Sequence, residues 1–174
     1  MKTTKAIYFI GFFIGLFSCN GDDTVELSNP DVDTYIELLR SNQYESSKLP
    51  EFTTKDIPKL FEYLDDNSVI NRFPYNPISS YIPPSPDYRL SVLVLWTIES
   101  IRVAANNKLI AGFPSQHPFV QTRSEPVEWI TNHEDPVYET VRQSYLNWWN
   151  ENKHKKFITY SSIDPLENTN YRWH

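Results

Sequence analysis

Four stretches of the chain repeat apolar residues at the helical period. After Asn29-Pro30-Asp31, the residues Val32, Tyr35, Ile36 and Leu39 fall at i, i+3, i+4 and i+7, which places one apolar stripe on a helix running to about Ser41. Ile57, Leu60, Phe61 and Leu64 repeat that spacing behind a Thr53 or Thr54 cap, with Asp56 at the capping-box position of Thr53 and Pro58 tolerated in the first turn. These two segments read as a helical hairpin joined around Pro50. The third stretch, from about Asp87 to Asn106, is apolar almost all the way round, and a helix without a wet face is packed on several sides. It is therefore predicted to be the central helix. Leu90 to Trp96 would also suit a β-strand, but the continuation through Glu99 and Ala105 favours the helix. The fourth begins at Asp135-Pro136, a cap followed by proline at the first helical position, and turns Val137, Val141, Tyr145 and Trp148 to one side with Tyr138 and Trp149 beside them.

Residues 73–86 hold five prolines, at 74, 77, 83, 84 and 86, and so predict a stiff, ordered connection. The segments 113–118 and 157–174 are irregular yet rich in aromatics, which suggests packed loops. The expected fold is all-α: a bundle of about four to five helices, with two helical hairpins resembling a short α-solenoid and long Pro- and aromatic-rich loops.

The start of the chain follows a different pattern. Lys2 and Lys5 precede an apolar run from Ala6 to Phe17, and Ser18 stands directly before Cys19, the only cysteine of the chain. That order is the order of a secretory signal peptide. The run is about a dozen residues, whereas a bilayer-spanning helix needs roughly 20. Leu16-Phe17-Ser18-Cys19 resembles the lipobox of bacterial lipoproteins, which implies cleavage before Cys19 and lipid on its thiol. Acyl chains each burying methylenes at about 0.8 kcal/mol apiece give stable anchoring. Asn20-Gly21-Asp22-Asp23 resembles the acidic signal that directs many Bacteroidetes lipoproteins to the cell surface. The expected organisation is a signal peptide over 1–18, a lipidated tether over 19–29 and one helical domain over 30–174. The expected address is the outer membrane with the domain facing outward, the periplasmic face being the alternative.

The chain as a whole resembles an uncharacterised family of small Bacteroidetes lipoproteins. The resemblance is carried by Asp31-Val32-Asp33-Thr34-Tyr35 with Leu38-Leu39, by Trp96-Thr97-Ile98-Glu99-Ser100-Ile101-Arg102, by Phe113-Pro114-Ser115-Gln116-His117-Pro118, by Trp148-Trp149, and by Asp164-Pro165-Leu166-Glu167 to Tyr171-Arg172-Trp173. It implies the same address and a helical fold, and it brings no activity.

Composition narrows the function further. Without Lys2 and Lys5 the mature chain holds 14 basic and 22 acidic side chains, a formal charge of −8, which argues against nucleic acid as a partner. The one basic cluster, Lys153-His154-Lys155-Lys156, follows the fourth helix, where cations complement the helix dipole. Gly11, Gly15 and Gly21 belong to the leader and tether, so Gly112 is the only glycine beyond them. Phosphate-cradling loops, dinucleotide fingerprints and nucleophile elbows need several glycines at fixed spacing, and no cofactor is expected.

Among single residues, Glu99 stands out because Leu95, Trp96, Arg102 and Val103 surround it on the central helix. A buried carboxylate must be paired or protonated, so it is either a general acid or base or one half of a Glu99–Arg102 pair. Ser115 and His117 bring a hydroxyl and an imidazole together in sequence, but a serine hydrolase also needs an acid and an oxyanion site. A proline-bounded turn explains them more simply. His133-Glu134-Asp135 lacks a second histidine at helical spacing, and Asp135 reads as a helix cap, so no metal is expected. Trp129, Trp149, Trp173 and Tyr171 are candidates for a glycan-stacking platform, or else pack the C-terminal segment onto the fourth helix. The expectation is therefore a membrane-anchored envelope lipoprotein with a non-catalytic domain for a protein partner. The alternatives are a glycan- or peptide-binding module and, behind it, a hydrolase using Glu99 or Ser115 with His117.

Overall fold

The structure, a computed structural model, describes residues 29–79 and 88–174. The leader, Cys19, Asp22, Asp23, Pro83, Pro84 and Pro86 lie outside these residues.

Helix α1 (Val32–Arg40) starts where the sequence predicts, with the Asp31 carboxylate accepting from the Thr34 N–H at 2.8 Å. The N–H of Thr53 donates to the Asp56 carboxylate at 2.7 Å, which makes the reach-back half of a capping box ahead of α2 (Ile57–Phe61). Helix α2 is only five residues long, and the chain continues to Leu64 in tighter turns. Helix α3 (Leu90–Ala104) is the axis of the domain, with every residue from Leu90 to Val103 buried. Two of its polar side chains bond within the helix: the Thr97 hydroxyl donates to the Leu93 carbonyl and that of Ser100 to the Thr97 carbonyl. Helix α4 (Val137–Asn152) and α2 both pack against α3.

The all-α expectation fails, because among the described residues five short strands accompany these four helices. Strands β1 (Val69–Ile70) and β2 (Tyr88–Arg89) form one antiparallel pair. Strands β3 (Val120–Thr122), β4 (Trp129–Ile130) and β5 (Tyr171–Trp173) form an antiparallel sheet in the order β4-β3-β5. The helices are consequently not two consecutive hairpins of a solenoid. The β1–β2 pair separates α2 from α3, and the β3–β4 hairpin separates α3 from α4. Strands of two or three residues are too short for their alternation to show in a sequence window, and so these segments read as loops.

The strands nevertheless solve problems the helices leave. Arg89 offers α3 no side-chain cap, and the first N–H groups of the helix donate instead to the carbonyls of Ser68 and Asp66 at 3.0 and 2.9 Å. Val120 stands opposite Ile130 and Trp173, while Gln121 stands opposite Trp129 and Arg172. Alternation therefore sends the first three inward and the last three outward. Tyr138 of α4 locks the sheet to the helices, its hydroxyl donating to the Ile130 carbonyl at 2.6 Å and accepting from the Val120 N–H at 3.3 Å.

After α3 the chain makes a tight hairpin in which Ile110 and Phe113 exchange both backbone hydrogen bonds, at 2.7 and 3.0 Å. Its two central residues, Ala111 and Gly112, have φ of 52° and 89°. Glycine takes such angles freely; alanine does so at a cost of roughly 1–2 kcal/mol.

Candidate functional site

Glu99 sits in the interior at 5 % exposure, in a network that spends both of its oxygens. Arg102, one turn on, donates from Nη2 to Oε1 at 2.6 Å and from Nε to Oε2 at 2.8 Å. The Tyr145 hydroxyl of α4 also donates to Oε2, at 2.6 Å, and itself accepts from the Trp173 indole of β5 at 2.8 Å. Arg102 spends its remaining arm on the Ser161 carbonyl at 2.9 Å. Burial by itself would lower the Arg102 pKa, but the hydrogen bonds and charge of Glu99 more than reverse this and raise it. Burial, reinforced by the Glu99 charge, lifts the Tyr145 pKa well above its usual value and keeps the hydroxyl a neutral donor. The Glu99–Arg102 pair follows from the i, i+3 spacing. Tyr145, Ser161 and Trp173 carry no sequence signal for joining it, because they arrive from three separate elements.

Ser115 is equally committed. Its hydroxyl accepts from the Trp96 indole at 2.8 Å and donates to the His117 carbonyl at 2.8 Å. The His117 ring meets a different serine, Ser79, whose hydroxyl lies 2.7 Å from Nε2. That ring also stacks on Phe119, with centroids 4.9 Å apart, and meets the edge of His174 at 5.3 Å. Proximity in sequence therefore does not bring the Ser115 hydroxyl to the His117 imidazole. The pairing places His117 inside an aromatic stack tied to the loop at Ser79.

His133, Glu134 and Asp135 each do something different. The His133 Nδ1 accepts from the Arg89 N–H at 3.1 Å, Glu134 pairs with the Arg89 guanidinium, and the Asp135 carboxylate accepts from the Val137 N–H at 2.9 Å to cap α4. No group of three His, Cys, Asp or Glu among the described residues is placed to hold a metal ion. A polar cleft of about 390 Å³ opens beside them, between the starts of α3 and α4. Its cation, Arg142, already pairs with Asp65 at 2.5 Å and with Glu139 at 3.1 Å.

The four candidate platform aromatics do not share one face. Trp149 is half-buried against Phe61, with centroids 6.1 Å apart, and Trp173 holds Tyr145 from the inner side of the sheet. Tyr171 is half-buried opposite Thr122. Trp129 alone of the four is on the outer face, at 46 % exposure. Across the strands beside it come Gln121 and Arg172. With its amide oxygen turned toward Arg172, Gln121 accepts from that guanidinium at 2.8 and 3.1 Å. The outer face is thus a short row of an indole, an amide and a guanidinium.

A family model described as a domain of unknown function (DUF4943) matches residues 26–174. No curated protein and no solved structure matches the chain.

Removing the Glu99 charge leaves the Arg102 guanidinium buried without its counter-charge. Glu99→Gln is expected to cost about 3 kcal/mol in chemical denaturation, in the range for breaking one side of a buried pair. Unchanged stability would mean that the network is not what holds these elements together.

His133 makes stability depend on acid. Burial pushes its pKa down to about 4, the nearby Pro118 carbonyl opposing and Arg89 assisting. The unfolded chain, with a histidine pKa of about 6.5, then takes the proton first. This contribution is complete above about pH 6.5 and is lost as the pH falls toward 4, by as much as about 3 kcal/mol. Denaturation midpoints followed across that window are expected to decline in the native chain and to flatten in His133→Asn.

Proposed function

The chain belongs to the DUF4943 family, and for it we propose a membrane-anchored, non-catalytic accessory domain of the bacterial envelope, held by lipid on Cys19. The observation that carries the non-catalytic part is the commitment of the groups the sequence offers for chemistry. Glu99 accepts three hydrogen bonds in the interior and Ser115 is held between an indole and a carbonyl. A general base must reach a substrate proton, and a nucleophile must reach its base. The leader pattern and the lone cysteine support the anchor, and Asp22-Asp23 support the cell surface as its address, with the periplasmic leaflet as the other location for the same anchor. Full-length native chain and Cys19→Ala, expressed in a lipoprotein-processing bacterium, provide the test. The native protein is expected in the membrane fraction with the leader removed and acyl mass on residue 19, and the variant in the soluble fraction. Identical fractionation without acyl mass would remove the anchor.

The outer face of the three-stranded sheet is the surface we assign to the partner, which on the primary reading is another envelope protein. A second reading, a glycan or extended peptide, is favoured by the composition of that row: a flat indole for a sugar or proline ring, with the Gln121 amide and Arg172 guanidinium beside it for hydroxyls or carbonyls. Oligosaccharides and proline-rich peptides titrated against the native chain and Trp129→Phe separate the two readings. Under the glycan or peptide reading the indole emission changes with ligand and the change is absent in the variant. No response in either protein leaves the protein partner.

A further inference from the structure

The hairpin after α3 puts the wrong residues in its turn for a water-facing loop. Leu109, Ile110, Ala111 and Gly112 are four consecutive apolar residues, all exposed, with Leu109 at 39 % and Ile110 at 46 %. Turns with two positive φ angles favour Asn-Gly, and exposed runs of this length are avoided unless they serve a contact. Here alanine occupies the first left-handed position although asparagine would suit both the backbone and water better. Two more exposed apolar side chains, Tyr75 at 60 % and Ile78 at 58 %, flank this tip. They are held there because the buried Asn76 between them donates to the carbonyls of Ile110 and Ser115, each at 3.1 Å.

The same rim is where the tether arrives. The Asn29 side chain accepts from the Glu51 N–H at 3.0 Å. The segment 48–52 and the turn residues Leu109, Ala111 and Gly112 line one groove of about 560 Å³. Cys19 and Asn29 are ten positions apart, a chain length that reaches at most about 35 Å. A domain of this size has a radius of gyration of about 15 Å. A tether no longer than about one domain diameter favours orientations in which the face on which it arrives lies toward the surface to which its other end is fixed. Lys48 and Lys108 are exposed on this rim with the single carboxylate of Glu51 between the groove and the tether, a net positive rim at the level of anionic headgroups.

We infer that the Leu109–Gly112 turn, with Tyr75 and Ile78, inserts shallowly into the bilayer that carries the Cys19 lipid and so fixes the orientation of the domain on the membrane. This rests on the anchoring reading above. The partner is a lipid surface: apolar tips for the acyl boundary, a tyrosine at the interface and lysines for the headgroups.

The test uses the full, processed chain in vesicles of phosphatidylethanolamine and phosphatidylglycerol. An environment-sensitive fluorophore goes on Ile110→Cys, or on Ile163→Cys as a control; acylation of Cys19 leaves the introduced cysteine as the only free thiol. Ile163 is 42 % exposed and follows the short 3-10 helix Phe157–Thr159. On reconstitution the label at 110 is expected to shift to the blue and lose most of its quenching by aqueous iodide, while the label at 163 keeps both. Equal quenching at the two positions in protein carrying acyl mass overturns the insertion and leaves the anchor intact. Shielding at 110 already present in detergent-free solution without vesicles also overturns it, since the tip is then covered by another copy or another segment. Absence of acyl mass overturns the anchor, and the insertion with it.

Discussion

A single buried carboxylate holds three parts of this domain in register. Glu99 belongs to α3, Tyr145 to α4 and Trp173 to β5, and the Arg102 guanidinium that neutralises Glu99 also binds the loop carbonyl of Ser161. In an apolar interior such a charge is tolerated only when its hydrogen bonds are complete. The demand is directional, unlike the packing of leucines and valines around it. It admits one placement of α4 along α3 and one position of the C-terminal strand.

The division of labour follows from that constraint. The apolar residues of α3 supply burial on every side but little preference for how their neighbours slide or rotate. Polar links add the preference: the Glu99 network at one level and the Tyr138 hydroxyl, bridging Ile130 and Val120, at another. Where α3 lacks a capping side chain, the 66–68 segment closes its first turn. Each device completes the hydrogen bonding of a buried polar group.

Much of this was legible in the sequence wherever periodicity extends over two turns or more. The Asp31 cap, the all-round burial of Leu90 to Val103, the Asp135 cap and the Glu99–Arg102 spacing all follow from local pattern. The strands did not, although Val120-Gln121-Thr122 and Tyr171-Arg172-Trp173 alternate correctly, because three residues give one alternation and no statistics. Side-chain partnerships between distant segments were out of reach for a different reason. Nothing local in Tyr145, Trp173 or Ser79 distinguishes a residue that closes a network from one that only packs. His117 illustrates the trap, since its nearest serine in sequence bonds to its backbone carbonyl while its ring meets Ser79.

The strand β5 also sets an order of events. Tyr171 to Trp173 stand after every other element of the domain in the chain. Until they dock, the β3 edge at Val120 has no β5 neighbour and the Tyr145 hydroxyl has no indole donor. A domain whose β5 has not docked carries an open sheet edge beside its apolar axis, the combination that invites pairing with foreign strands. The β5 strand is the clasp that covers this edge and completes the Tyr145 network.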